Sequence, residues 1–308
     1  MTLDVVIPLY RPDAEFITLI KMLKAQTLPV NRIILVNTEE ALYDSFAKAY
    51  SFDAEEFGAE VTHVTAHEFD HAGTRHMAML KSNADVVVMM TQDAIPGDET
   101  LLEKLVAHLT DGVAVTYARQ LPKKGAGALE EITREFNYPA SSQVRDESDI
   151  EKMGIKAFFC SDVCAAYRRG LYEAVGGFCV PAIFNEDMIF AYNALKAGYK
   201  VAYAADAEVY HSHHYSNMQQ LHRNFDLGVS QADHPEIFGN IKSESEGKRL
   251  VKNAFKRFNR LRRPWLMIPF SVQCAFKLLG YKLGKKYKKL PKWLVLKLTG
   301  SKYYWDKH

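Results

Sequence analysis

The sequence has no run of about 18 uncharged apolar residues, the length that a helix needs to cross a bilayer. We therefore predict no membrane-spanning segment. Its four cysteines are too few and too irregularly spaced for a disulfide framework or a zinc site. The amino terminus has no basic segment ahead of a long apolar stretch, so a secretion signal is not indicated. These absences predict a cytoplasmic protein.

Acidic residues are almost absent from the carboxyl-terminal segment 248–308. This segment has 18 Lys and Arg but a single acid, Asp306, whereas the first 247 residues have 21 basic and 36 acidic side chains. Such asymmetry predicts a basic tail that meets an anionic surface, either a membrane or a nucleic acid. Because no recognised nucleic-acid module accompanies the charge, we favour a membrane and expect no nucleic acid partner.

Apolar strand-like segments alternate with helix-like segments in the first half of the chain. The hydrophobic content of 48% is enough for a real core. The predicted strands are Leu3–Leu9, Arg32–Val36, Glu60–Val64, Asp85–Met90, Val113–Ala118 and Val201–Ala204. The predicted helices are Phe16–Ala25, Ala41–Ala49, Thr74–Ser82 and Asn185–Ala197. This pattern is typical of an α/β fold with a mostly parallel sheet, whose ligands sit beyond the carboxyl ends of the strands.

We expect one large domain, 1–235, followed by a helical appendage, 236–308. Within the domain, the long polar segment Leu121–Lys156 predicts a mobile substrate loop or a disordered region. In the appendage, Lys248–Arg263 has one apolar and one basic helical face, Trp265–Leu279 is more apolar but broken by Pro269, and Leu283–Leu298 mixes Lys with apolar residues.

Basic amphipathic helices with Trp and Phe at their boundary are suited to lying in the headgroup region of a membrane. The appendage therefore predicts a peripheral protein at the cytoplasmic face of the cell membrane, bound to its anionic surface. The alternative is a helical cap that packs on the domain and leaves its basic face in water.

Two acidic positions are candidates for chemistry. Asp93 follows a buried strand, where a carboxylate can hold a divalent cation that grips a diphosphate. Glu186 and Asp187 open a helix, and one of them could be the general base that deprotonates an attacking hydroxyl. The plainer interpretation of Asp93 is an acid that opens a loop. That of Glu186 and Asp187 is a pair of acids that stabilises the start of a helix.

Three histidines fall within four residues, at His211, His213 and His214. At strand spacing His211 and His213 share a side, which suits a metal site begun by Asp93. A surface histidine cluster is the alternative. Upstream, Gly73 permits a ligand to approach the backbone closely, and Arg75 could neutralise a phosphate. A capped helix with a surface arginine would show the same sequence pattern.

Taken together and in this order, these elements resemble the inverting family 2 glycosyltransferases of the GT-A (Rossmann-like) fold. The likeness covers roughly residues 3–231. It rests on the opening segment Val5–Tyr10, the Asn37–Glu39 segment, the stretch around His71–Arg75, the Gln92-Asp93 pair, the Glu186-Asp187 pair and the late histidines. The resemblance implies a nucleotide-sugar donor and a divalent cation, Mg²⁺ or Mn²⁺.

The resemblance also implies roles for individual residues. Asp187 would be the catalytic base, supported by Glu186. Asp93 with His211 or His213 would hold the metal. The implied nucleotide-sugar-binding residues are Pro8, Tyr10, Asn37, Thr38, Glu39, His71, Gly73, Arg75, Gln92 and Asp93. The usual aspartates are absent after the second strand, and only the final carboxylate of the metal motif is present.

A narrower likeness is to bacterial rhamnosyltransferases, carried by Phe69–His71, Thr91–Ala94, Phe136–Pro139 and His211–Ser216. It implies dTDP-L-rhamnose as donor, and a growing cell-surface polysaccharide or its lipid-linked saccharide primer as acceptor. Two alternatives stay open, namely a UDP-hexose donor on the same fold and an inactive membrane-bound scaffold. A homo-oligomer is compatible with all of these.

Overall fold

The computed structural model describes residues 1–213, 215–239, 241 and 243–307, so His214 of the histidine motif lies outside the described residues. The chain divides into two compact units. The first consists of Met1–Leu121, Tyr138–Pro181 and Glu186–His211, and the second of Pro122–Asn137, Ala182–Asn185 and Ser212–His308. The predicted boundary near residue 235 falls within the second unit.

The first unit is built on one mixed sheet. In the described part of the chain its strands are β1 (Leu3–Leu9), β2 (Arg32–Thr38), β3 (Ala59–Val64), β4 (Val86–Met90), β5 (Ile95–Pro96), β6 (Val113–Leu121), β7 (Gln143–Arg145), β8 (Cys164–Arg168) and β9 (Lys200–Tyr210). The strand order is β3-β2-β1-β4-β8-β6-β9-β5, and β7 pairs with β9. Strand β8 runs antiparallel to both neighbours, whereas the β1–β2, β2–β3, β1–β4 and β6–β9 pairs are parallel.

The helices have the following bounds in chain order: α1 (Ala14–Lys24), α2 (Glu40–Tyr50), α3 (His71–Lys81), α4 (Leu101–Ala107), α5 (Ala128–Asn137), α6 (Asp149–Met153), α7 (Arg169–Val175), α8 (Glu186–Lys196), α9 (Asn217–Asp233), α10 (Pro235–Phe238), α11 (Ser243–Arg260), α12 (Met267–Gly284), α13 (Lys292–Leu298) and α14 (Tyr304–Lys307). Helix α5 and helices α9 to α14 belong to the second unit. None of the described helices is long and apolar enough to cross a membrane.

The core of the first unit lies between the sheet and its helices. Strand β1 is almost wholly buried because its β-branched residues face helices on both sides, and Phe16 of α1 packs into the same cluster. Helix α1 begins two residues earlier than predicted because the side chain of Asp13 accepts a hydrogen bond from the backbone N–H of Glu15 and caps it.

The segment Leu121–Lys156 has regular secondary structure, so the prediction of a disordered region was wrong. It contains α5, β7 and α6. The partners that order it are distant in sequence: Val144 of β7 pairs with Ala202 of β9, and Ile132 of α5 packs on Phe258 of α11. A local reading of a polar segment cannot detect such partners.

Two other predictions need correction. Strand β9 continues to Tyr210 rather than ending at Ala204. Pro269 does not break the helix in the appendage, because it lies in the first turn of α12, where a backbone N–H has no intrahelical acceptor.

Candidate active site

One edge of the sheet collects most of the predicted site residues. The carboxyl ends of β1, β2, β4, β6 and β9 meet there, and the antiparallel β8 begins there. Register confirms this placement, because Leu9 lies beside Asn37, Met90 beside Cys164, and Leu121 beside Tyr210. The loops after these strands therefore share a surface of the first unit.

The loops that follow β1 and β4 are joined by a reciprocal pair of hydrogen bonds. The backbone N–H of Tyr10 donates to Oε1 of Gln92 at 2.8 Å, and Nε2 of Gln92 donates to the carbonyl of Tyr10 at 3.0 Å. The ring of Tyr10 stays 52% exposed, with the guanidinium of Arg11 over it at 5.2 Å. Gln92 thus fixes the Tyr10 backbone and leaves the ring accessible to a flat ligand such as a base.

The loop after β2 is held by its own polar side chains. Nδ2 of Asn37 donates to the carbonyl of Glu39 at 3.1 Å and lies 3.1 Å from Nδ1 of His63. Glu39 has a positive φ of 70° and accepts a hydrogen bond from the backbone N–H of Ala66. Thr38 is buried. The hydrogen bonds of Asn37 and Glu39 define the loop shape, and His63 was not anticipated from sequence.

Helix α3 carries the third predicted group. Its N-cap is Asp70, whose Oδ1 accepts from the backbone N–H of Gly73 at 2.6 Å. A Cβ at Gly73 would lie 3.1 Å from that oxygen, so glycine leaves room for the cap. His71 is partly buried at the first position of the helix, and its carbonyl accepts from Nη1 of Arg75 at 3.0 Å.

Arg75 joins two buried acids. Its Nη1 lies 3.1 Å from Oε1 of Glu186, and its Nε lies 3.5 Å from Oδ2 of Asp162. The three side chains are 9%, 8% and 4% exposed, so each charge depends on the others for compensation. Arg75 was predicted to neutralise a phosphate; in this structure its charge faces the two carboxylates. Oδ1 of Asp162 also accepts from the hydroxyl of Tyr167 at 2.6 Å.

Asp187 lies beside this group, in the first turn of α8. Its Oδ2 accepts from the backbone N–H of Asp162 at 3.2 Å, and its Oδ1 from the backbone N–H of Met188 at 2.7 Å. Burial raises its pKa well above the ordinary value, and the nearby negative charges of Asp162 and Glu186 raise it further, against the two hydrogen bonds. Burial likewise raises the pKa of Asp162 to about 7, although Arg75 opposes the shift. A carboxylate with a raised pKa is suited to proton transfer near neutrality.

A second pair lies at the same edge. Nε2 of His211 is 3.4 Å from Oδ2 of Asp93, and the two side chains are 6% and 21% exposed. Nδ1 of His211 is 3.1 Å from Oε1 of Gln120, whose Nε2 donates to Oγ of Ser161 at 2.8 Å. Since the amide oxygen can only accept, this hydrogen bond needs a proton on Nδ1, and Nε2 is the nitrogen that faces Asp93. This is the arrangement by which proteins orient a metal-binding histidine.

His213 is two residues beyond His211 and belongs to the second unit, where its ring lies 4.8 Å from the ring of Tyr215. Pro8 is partly buried within β1.

The short segment 161–163, which sequence reasoning missed, connects these parts. Ser161 contacts Gln120, Asp162 contacts both Arg75 and Asp187, and the carbonyl of Val163 accepts from the backbone N–H of Thr91 at 3.2 Å. The only sequence signal was a pair of polar residues ahead of an apolar strand. The antiparallel direction of that strand, which brings the pair to this edge, could not be read locally.

Comparisons with known proteins identify the family of the chain. Residues 4–176 match the family described as Glycosyl transferase family 2. The chain is 35% identical to the O-antigen chain rhamnosyltransferase RfbN of Salmonella typhimurium, over 99% of this chain and 96% of the relative. It is 39% identical to the O-antigen chain rhamnosyltransferase WbaN of Salmonella anatum, over 79% of this chain and 78% of the relative.

Solved structures show the same fold at low sequence identity. The mannosyltransferase PcManGT from Pyrobaculum calidifontis, in complex with GDP-Man and Mn²⁺, is 16% identical with a TM-score of 0.55, over 99% of this chain and 88% of that one. TarS 1–349 of S. aureus, in complex with UDP-GlcNAc, is 13% identical with a TM-score of 0.51, over 94% and 92% of the two chains. The predicted GT-A fold is confirmed, and the chain belongs to glycosyl transferase family 2.

Proposed function

We propose that this protein transfers L-rhamnose from dTDP-L-rhamnose, with inversion, to a hydroxyl of a growing cell-surface polysaccharide or of its lipid-linked primer. The observation that carries the proposal is the assembly, at one sheet edge, of the partly buried Asp187 carboxylate and the Asp93–His211 pair. The names of the relatives, both O-antigen chain rhamnosyltransferases, support rhamnose as the transferred sugar.

Asp187 is the proposed general base. The acceptor oxygen attacks the anomeric carbon, the bond from that carbon to the diphosphate breaks, and the acceptor proton passes to the Asp187 carboxylate. Its raised pKa makes it a stronger base than an exposed aspartate, because proton affinity rises with pKa. Glu186 is held by Arg75 at 3.1 Å and orients the first turn of α8, so that Asp187 keeps its position.

The donor nucleotide is proposed to bind along the ends of β1, β2 and β4. The exposed ring of Tyr10, whose backbone Gln92 fixes, is available to stack on the base. The loop of Asn37, Thr38 and Glu39 begins beside the end of β1, since Asn37 pairs with Leu9, and it is proposed to contact the base and ribose. His71 stands at the start of α3, where a helix amino terminus favours an anion, and Gly73, whose backbone N–H donates to the Asp70 cap, is proposed to contribute space beside it because it has no side chain.

The donor set of the Asp93–His211 pair fits a divalent cation, since one carboxylate and one oriented imidazole suit Mn²⁺ or Mg²⁺. His213 is close along the chain and is proposed as an alternative or additional ligand. When bound, the ion would neutralise charge on the departing diphosphate. The residues themselves position it: Gln120 fixes the tautomer of His211, and Ser161 fixes Gln120.

A donor screen with the purified full-length protein tests this proposal. The protein is incubated with dTDP-L-rhamnose, UDP-glucose or UDP-galactose, Mn²⁺ and a polysaccharide primer, and the released nucleotide diphosphate is measured. Release from dTDP-L-rhamnose supports the proposal. Release only from a UDP-hexose would show that the donor is that sugar nucleotide rather than dTDP-L-rhamnose. No release with any donor, and no thermal shift with dTDP and Mn²⁺, would indicate an inactive scaffold.

A further inference from the structure

Helix α12 of the second unit has an apolar stripe on its outer face. Residues at intervals of three and four lie on one side of a helix, and here they are Ile268, Val272, Ala275, Leu279 and Lys282, with Lys286 two residues after the end of the helix. All six are exposed; Ile268 is 72% exposed and Leu279 is 51% exposed. Trp265, just before the helix, is 63% exposed. Four apolar positions and Lys282 thus lie along a single line, and Lys286 comes just after the helix.

The opposite face of α12 fixes which side is outward. A Cβ on Gly280 would lie 2.2 Å from the carbonyl oxygen of Leu221, and one on Gly284 would lie 2.1 Å from that of Phe225, so α12 packs backbone to backbone on α9. The hydroxyl of Tyr281 donates to Oε1 of Gln231 at 2.9 Å on the same side. The helix therefore cannot rotate to bury its apolar stripe without losing this close packing.

Helix α11, whose apolar face the sequence offered for membrane contact, is used differently. Ala254 and Phe258 on that face are fully buried in a cluster with Ile132 and Phe270. Its exposed side chains include Lys252, Lys256 and Arg260. In the described tail, four exposed large apolar side chains lie on α12, namely Ile268, Val272, Leu278 and Leu279, whereas Leu261, Trp265, Trp293 and Tyr303 are exposed outside it.

We propose that the outer face of α12, from Trp265 to Lys286, lies in the plane of an anionic membrane, with the apolar stripe among the acyl chains and the basic residues at the phosphates. Exposed Arg262 and Arg263 precede the stripe, and Lys282 and Lys286 end it. Each such cation near an anionic leaflet adds electrostatic attraction. A second copy of the chain is a poorer occupant, because a symmetric contact would set these like charges against each other.

Sedimentation of the full-length protein with vesicles tests this proposal, and it does not depend on the identity of the sugar donor. The protein is mixed with vesicles of phosphatidylglycerol and phosphatidylcholine, or with phosphatidylcholine alone. We expect binding to the anionic vesicles only, and a decrease as salt screens the basic residues. Leu279→Ser should weaken this binding about tenfold, because a large apolar side chain no longer leaves water.

Leu80→Ser is the matched control. Leu80 is 58% exposed on α3 of the first unit, so its replacement should leave vesicle binding unchanged. Absence of binding by the wild-type protein would overturn the proposal. Wild-type binding by both Leu279→Ser and Ile268→Ser would also overturn it, because binding would then depend on charge alone. A dimer in sedimentation velocity that Leu279→Ser converts to monomer, with vesicle binding unchanged, would assign the stripe to a second copy instead.

Discussion

The backbone N–H of Asp162 donates a hydrogen bond to Oδ2 of Asp187 at 3.2 Å, although the two residues are 25 positions apart. This contact joins the start of β8 to the start of α8. It places the proposed base beside a second carboxylate, which raises the pKa of Asp187 by repulsion. Asp162 is therefore a positioning residue for the site, through both its backbone and its charge.

Replacement of the proposed base should affect turnover rather than donor binding. Asp187→Asn keeps the size of the side chain, but the amide cannot take the proton from the hydroxyl of the acceptor sugar. The value of kcat should therefore fall by about 10²- to 10⁴-fold. The affinity for dTDP, measured by calorimetry, should change little. Asp111→Asn, at an exposed aspartate of the first unit, is the control and should retain full turnover. Wild-type turnover in Asp187→Asn would remove Asp187 from the reaction.

The raised pKa of Asp187 predicts the acid side of the pH profile. A protonated carboxyl cannot take a proton, so kcat should be low at acidic pH and rise as pH increases through this pKa. That rise should occur at a higher pH than for an ordinary aspartate. Asp162→Asn removes one neighbouring negative charge, so the rise of kcat with pH, the acid limb of the profile, should move to lower pH. The measurement is kcat against pH for both proteins.

The pH prediction is distinct from a simple loss of activity. A structural defect in Asp162→Asn would lower kcat at every pH without moving the limb. Coincident limbs in the two proteins would show that Asp162 does not influence the proton affinity of the base.

The orientation of His211 predicts a measurable effect on metal affinity. Gln120→Met removes the acceptor of the Nδ1 proton, so the imidazole loses its fixed tautomer and direction. Loss of such a partner typically weakens metal binding by about 10- to 100-fold. Mn²⁺ affinity in the presence of dTDP, measured by calorimetry, tests this. Gln273→Met, at a partly buried glutamine of α12, should bind Mn²⁺ as the wild type does. Equal affinities for all three proteins would argue against His211 as a ligand.

The contact between α9 and α12 should tolerate no side chain at its centre. Gly284→Ala would place a Cβ 2.1 Å from the carbonyl oxygen of Phe225, so the helices must separate. Overpacking of this kind typically costs about 1 to 3 kcal/mol, and the thermal midpoint should fall. Gly247→Ala, on α11 with no neighbour within 4 Å of the added Cβ, should be neutral or slightly stabilising. Equal midpoints for the two variants would contradict the close packing.

The sequence predicted the first unit well because its signals are local. Strands such as Leu3–Leu9 and Val86–Met90 are largely apolar runs, and Tyr10 and Thr91 follow them where the strands end. That is enough to predict parallel strands and a ligand edge, and it led to Asp93, whereas Glu186 and Asp187 were recognised as acids at the start of a helix. The net basic charge of the carboxyl-terminal segment could also be counted from the sequence, because a net charge does not depend on the fold.

Only the tertiary structure decided which distant groups meet. The insertion of antiparallel β8 between β4 and β6 brings Asp162 to Arg75 and Asp187, because hydrogen bonds between strands ignore separation in sequence. The segment Leu121–Lys156 is ordered for the same reason. In the second unit, α11 and α12 both have apolar residues, and packing buried the apolar face of α11 while the outer stripe of α12 stayed in contact with solvent. Composition states how much apolar surface a chain has, whereas packing determines which part of it is left exposed.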